Sequence, residues 1–129
     1  DTPASKKFAA SFKKRWGADR VVADPQESAY NMVYLWKQAV EDAGTFDDNA
    51  VREALVGQKF DAPQGPVEVM PNHHLSQTVR IGEINAEGGF TILEETGVVL
   101  PQAWNQKHPS SKGFACDWTD PSKGEKYKL

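Results

Sequence analysis

Few residues of this chain have the types and spacing for chemistry, and the most suggestive of them open a helix. Asp24-Pro25-Gln26-Glu27 sets two carboxylates around a proline, and Tyr30 follows one turn later. A helix N-terminus concentrates unpaired amides and positive potential. A tyrosine hydroxyl both donates and accepts hydrogen bonds, and hydroxyls and carboxylates that converge in a cleft hold small polar solutes. The same residues also form an ordinary capping box, with Asp24 as cap and Glu27 reaching back to its amide, beside a packed tyrosine. On residue types alone the box is the simpler account. His73 and His74 are adjacent. In an extended segment their side chains leave on opposite sides and chelate one ion poorly, so a turn is expected there and no metal site. Cys116 is the single cysteine, which excludes an internal disulfide framework and a multi-cysteine zinc cage. Its neighbour Asp117 disfavours a thiolate, so burial or a disulfide to another chain is expected rather than catalysis. With no Gly-rich phosphate loop, nucleophile elbow or HExxH helix, the chain reads as non-enzymatic and free of cofactors.

Composition narrows the class further. The chain has 129 residues, 39% of them hydrophobic and 26% charged. A domain of this size buries roughly 68% of its unfolded surface, so a globular core is feasible. No apolar run approaches the ~20 residues needed to span a bilayer. After Asp1 no basic flank leads into an apolar run, so no signal peptide is expected within these residues. The net charge is −3 and unevenly spread: +4 over residues 1–20, −4 over 21–60, −5 over 61–100 and +2 over 101–129. The one basic segment has no second basic element to make a groove reader, so nucleic acid is not an expected partner.

The chemistry-bearing residues need elements to position them. Thr2-Pro3 reads as a cap and first helical position, and Phe8, Phe12 and Trp16 recur every four residues on one face of a helix over 3–16. A second helix is expected over 25–43. Its apolar stripe of Ala29, Met32, Val33, Trp36, Ala39, Val40 and Ala43 follows the i, i+3, i+4, i+7 rule. Asp47 or Asp48 caps a third helix over 48–56, closed by Gly57. After residue 58 the period changes from 3.6 to 2. Residues 60–66 carry turn chemistry, strands are expected over 66–69, 78–85 and 89–95, and Asn85-Ala86-Glu87-Gly88-Gly89 connects the last two. Gly82 marks an expected bulge. From Gly97 on, Trp104, Phe114, Trp118 and Tyr127 lie without period in a Pro-, Lys- and Gly-rich tail, expected to be irregular and to lie across another surface.

Taken in order, these segments resemble a known family. Ala23-Asp24-Pro25-Gln26-Glu27-Ser28-Ala29-Tyr30-Asn31-Met32-Val33-Tyr34-Leu35-Trp36 leads to Val51-Arg52-Glu53-Ala54-Leu55. Then come Phe60-Asp61-Ala62-Pro63-Gln64-Gly65-Pro66, Asn72-His73-His74-Leu75, Val79-Arg80-Ile81-Gly82 and Cys116-Asp117-Trp118. The whole chain resembles the C-terminal third of periplasmic solute-binding proteins of the branched-chain amino acid type, and within them the urea and short-chain amide receptors of ABC importers. The resemblance implies an α/β protein, the C-terminal portion of a type I periplasmic-binding-protein fold, in which two lobes joined by three crossover strands hold solute between them. On that pattern residues 1–81 supply helices of one lobe plus a crossover strand, and residues 82–129 a hairpin return and the tail. The implied function is the substrate-binding component of an importer, taking urea or a short-chain amide in the cleft. The implied partners are ABC permease subunits and either the N-terminal remainder of the same protein or a second copy. The implied location is periplasmic or extracytoplasmic, with a lipid anchor on an upstream segment as one form. Tyr30 matches a tyrosine that faces the cleft in the branched-chain amino acid relatives, and Glu27 and Asp24 are secondary ligand-binding candidates. A branched-chain amino acid receptor and a cytoplasmic amide-sensing regulator of the same fold remain open, as does a stand-alone interaction module.

Overall fold

Three capped helices precede an antiparallel sheet, and local chemistry explains each boundary. The computed structural model describes residues 2–102 and 108–109, with the backbone of 114–115 and 127–128. Helix α1 spans Pro3–Trp16. Thr2 caps it, its Oγ1 accepting from Ser5 N at 3.0 Å and donating to Pro63 O at 3.0 Å, so the cap also ties the helix to the sheet. Helix α2 spans Asp24–Ala43 and ends on Gly44 in the left-handed conformation at φ 63°, where a side chain would be strained. Its start corrects the sequence expectation. The cap is Ala23, Asp24 is already helical, and Gln26 reaches back instead of Glu27, its Oε1 accepting from Ala23 N at 3.2 Å. Helix α3 spans Asp48–Leu55, capped by Asp47, whose Oδ1 accepts from Ala50 N at 3.0 Å.

The sheet has four strands in the order β1-β2-β3-β4: Lys59–Ala62, Gly65–Val69, Leu75–Ile84 and Phe90–Val99. Strand β1 lies where only a turn was expected. Pro63 and Gln64 form the whole connection, since Ala62 pairs with Gly65, so the turn residues belong to a tight hairpin and Phe60 lies in a strand. Met70–His74 makes the next turn. Met70 N donates to His74 O at 2.8 Å and His73 N to Met70 O at 2.8 Å, with His73 at φ 60°. The histidine pair is therefore a turn. The β3–β4 ladder shifts register between Ile81 and Gly82 and again between Thr78 and Arg80, so the bulge falls at Gly82 with a second beside it. Strand β3 begins ahead of its expected start at 78 and β4 runs past its expected end at 95. Phe114–Ala115 and Tyr127–Lys128, labelled β5 and β6, pair antiparallel, a regular element in a tail expected to be irregular. Trp104, Cys116 and Trp118 lie outside the described residues.

The core lies between α2 and the β1–β2 hairpin: Leu35, Ala62, Val67 and Val69, with Leu55, Phe60 and Leu75 packed against it. Helix α2 buries Glu27, Asn31, Leu35 and Ala39, one residue per turn along a single row. Of the apolar stripe read from the sequence only Ala39 is buried; Met32, Val33 and Trp36 are 66%, 63% and 49% exposed. The helix thus has two faces of use, one filled by the hairpin and one open.

Candidate functional site

Tyr30 stands in the second turn of α2, and its ring is held by aromatic neighbours from three elements. Phe8 of α1 lies 4.8 Å away between ring centres, Tyr34 lies 4.7 Å away one turn along α2, and Phe60 of β1 lies 6.1 Å away. Tyr34 and Phe60 stack at 5.0 Å and 7°. The ring separations fall in the favourable range for aromatic pairs, with tilts of 49°, 52° and 49° between stacked and edge-to-face. These rings wall a hollow of about 510 Å³, into which Lys7 and Asp61 also open. The Tyr30 hydroxyl is held above the ordinary phenol value of 10.0, first by its hydrogen bond with Tyr34, then by burial, then by the Tyr34 charge. It is therefore a neutral donor and acceptor at physiological pH.

Glu27 and Asp24 open on a second hollow of about 350 Å³, between α1, the start of α2 and the Pro63-Gln64 turn. Phe8 and Pro63 border both hollows and separate them. The structure therefore does not gather Tyr30, Glu27 and Asp24 into one cavity. Asp24 is exposed at the helix start, whereas Glu27 is 7% exposed. Glu27 Oε1 accepts from Asn31 Nδ2 at 2.7 Å and from Gln64 N at 3.4 Å. Glu27 Oε2 and Asn31 Oδ1 are buried with no hydrogen-bond partner among the described residues. Buried polar atoms of this kind are costly, and here they sit where α2 meets the hairpin.

Tyr34, Phe60, Asn31 and Gln64 were not read as site residues. Tyr34 carries a usable signal, since it repeats Tyr30 at i+4. Asn31 does too, as the second step of the row Glu27, Asn31, Leu35, Ala39. Phe60 and Gln64 have none, because their approach depends on the tertiary placement of the hairpin. Among the described residues no three His, Cys, Asp or Glu side chains converge to hold a metal.

Comparison with known proteins agrees with this architecture. Residues 1–110 match the family described as periplasmic binding protein domain, and the chain belongs to that family. The Leu/Ile/Val-binding protein homolog 6 of Brucella abortus is 28% identical over 86 residues, which is 65% of this chain and 22% of that protein. A Geobacillus stearothermophilus protein named limonene hydroxylase is 30% identical over 101 residues, 78% of this chain but 19% of that protein, so that name describes a chain lying mostly outside the match. The chain spans about a fifth of the length of these curated relatives. Among solved structures, a solute binding protein of an ABC transporter from Rhodopseudomonas palustris BisB5, in complex with 3,4-dihydroxybenzoic acid, matches at TM-score 0.64 and 21% identity over 77% of this chain and 28% of that one. A leucine binding protein from Thermotoga maritima matches at 0.61 and 21% over 74% and 27%. A third, from Rhodopseudomonas palustris HaA2 with p-hydroxybenzoic acid, matches at 0.59 and 27% over 77% and 27%. The three helices and the antiparallel sheet are a part of the type I periplasmic-binding-protein fold.

Proposed function

We propose that this chain supplies one wall of the solute cleft in the substrate-binding component of an ABC importer, and that the solute is urea or a short-chain amide. The observation that carries the proposal is Tyr30, a neutral hydroxyl fixed by three rings at the edge of a hollow of about 510 Å³. A neutral phenol suits an uncharged polar solute, because it donates to a carbonyl without burying a charge. Family membership supports the class: the protein acts without catalysis, outside the cytoplasm, and hands solute to permease subunits. A lipid anchor would belong to a segment outside this sequence. In this proposal residues 1–81 serve one lobe and 82–129 return from it, and the register shift between Ile81 and Gly82 falls at that boundary. In this proposal Glu27 and Asp24 border the second hollow, which Phe8 and Pro63 separate from Tyr30, so they do not touch the solute held beside Tyr30.

One observation favours a second ligand class. The walls around Tyr30 are aromatic, Lys7 offers a cation beside them, and the volume is generous for urea. A ring-bearing carboxylate such as p-hydroxybenzoate fits that chemistry. Calorimetry on the full-length protein with urea, acetamide and p-hydroxybenzoate separates the two. The expected result for Tyr30→Phe is the loss of one hydrogen bond, about 0.5–1.5 kcal/mol, or roughly a two- to tenfold weaker affinity. Unchanged affinity removes Tyr30 from the site.

A further inference from the structure

The ribbon made by β3 and β4 leaves the helical body with almost no apolar anchor. Strand β3 pairs with β2 only at Leu75 and Ser76. From Val79 onward every residue of β3 is exposed, and so is all of β4. Packing therefore does not set the angle at which the ribbon departs, and polar contacts converge on Gln64 at the tip of the β1–β2 hairpin instead. Arg80 Nη1 of β3 donates to Gln64 O at 2.9 Å, and Gln64 Nε2 donates to Gln77 Oε1 of β3 at 3.0 Å. Gln64 N donates to Glu27 Oε1 of α2 at 3.4 Å, and that carboxylate is fixed from behind by Asn31. On its other side Arg80 Nε meets Glu95 Oε2 of β4 at 2.6 Å. One arginine thus grips both strands of the ribbon and the hairpin tip, and the hairpin tip grips the first turns of the helix that carries Tyr30.

We propose that Glu27, Gln64 and Arg80 form a latch that sets the angle between α2 and the β3–β4 ribbon. Arg80 is a positioning residue that acts on the cleft through Gln64 and touches no solute. A guanidinium suits this role, because its planar fork serves two acceptors in fixed directions where an ammonium serves them loosely. The consequence for cleft opening rests on the reading above, in which the ribbon carries the chain toward the second lobe.

Amide hydrogen exchange and small-angle X-ray scattering on the ligand-free full-length protein test this. In Arg80→Ala, amides of residues 79–84 and 91–95, and those of Gln64 and Gly65 in the 63–66 turn, are expected to exchange on the order of tenfold faster while α3 stays unchanged, since exchange reports local opening. The scattering distance distribution is expected to shift. Arg80→Lys restores part of both effects, and Glu95→Gln, which spares the bond to Gln64, moves the ribbon amides but not the turn. If Arg80→Ala fails to fold, Arg80→Lys and Glu95→Gln carry the same comparison. Faster exchange in the ribbon alone, with the 63–66 turn and the scattering curve unchanged, would reduce the arginine to a strand-strand ion pair and overturn the latch. A protein that binds none of the three solutes yet shows the paired changes loses the transport reading and keeps the latch.

Discussion

Tyr30 and Glu27 sit one turn apart on α2, yet their surroundings give them different work. Tyr30 borders a hollow with its hydroxyl protonated and its ring packed, whereas Glu27 is buried and committed to Asn31 and Gln64. Two outcomes follow from that contrast. The Tyr30 proton is bound more tightly in the folded protein than in the unfolded chain. Its contribution to stability is therefore fully present below about pH 10 and lost as pH climbs through the raised folded value. Denaturation midpoints measured from pH 8 to 11 should fall more steeply for the parent than for Tyr30→Phe; parallel curves would deny the coupling to Tyr34. For Glu27, replacement by Ala leaves the buried Asn31 amide without an acceptor, at a cost of about 1–3 kcal/mol, and frees the half-buried Gln64 N–H at a smaller cost. Glu27→Gln keeps an acceptor and should lose much less in guanidinium unfolding. Equal losses in the two variants would show that the carboxylate, not its hydrogen-bonding geometry, matters there.

At the scale of elements, what was legible in the sequence was whatever depends on neighbours along the chain. Thr2 was read as the first cap and Asp47 or Asp48 as the third, and local hydrogen bonds from Thr2 and Asp47 make those caps. The Asn85–Gly89 connection closes as expected, with Asn85 N donating to Gly89 O at 3.0 Å. Strand β1 was not legible because two prolines and a glycine crowd residues 63–66, and their turn signal masks the pairing of Phe60 with Val67. Around the candidate site Tyr30 was read from the sequence, Tyr34 and Asn31 carry a local signal that was not used, and Phe60 and Gln64 reach it through the hairpin. Hydrophobic periodicity also misjudged which side of α2 this chain fills, because a row containing Glu27 and Asn31 scores as polar although both are buried. Substitution separates the two faces. Leu35→Ala removes a core side chain and should cost about 2–5 kcal/mol, whereas Met32→Ala, on the open face, should stay within about 0.5 kcal/mol when this 129-residue chain is diluted below the onset of self-association. A Met32→Ala loss as large as that at Leu35 would mean the open face is covered in solution.

For the molecule as a whole, the exposed apolar surface is the dominant physical fact. Met32, Val33 and Trp36 stand on the open face of α2, and the Phe46 ring lies 6.2 Å from that of Trp36. Ile81, Ile84, Phe90, Ile92 and Leu93 stand on the β3–β4 ribbon, all more than half exposed. Contiguous apolar patches beyond a few hundred Å² are rare on monomers and draw partners. An edge strand of ten residues adds unpaired backbone groups to the attraction. The charges that blunt such an edge are here Glu94 and Glu95, and Glu95 is already engaged by Arg80. The solved relatives in which this fold is found are matched over only 27–28% of their length, so they hold much more chain with which to cover equivalent faces. Expressed as these 129 residues, the protein should therefore self-associate, with a mass by light scattering that rises with concentration over the micromolar range. Met32→Lys together with Val33→Lys should shift it toward the monomer without unfolding it, because neither side chain belongs to the buried row that packs on the hairpin. The full-length protein, if its second lobe and central sheet cover these faces, should run as a single species under the same conditions. A monodisperse monomer of the 129-residue chain at every concentration would show that the open faces do not associate, and would overturn the reading of Met32, Val33 and Trp36 as an interface.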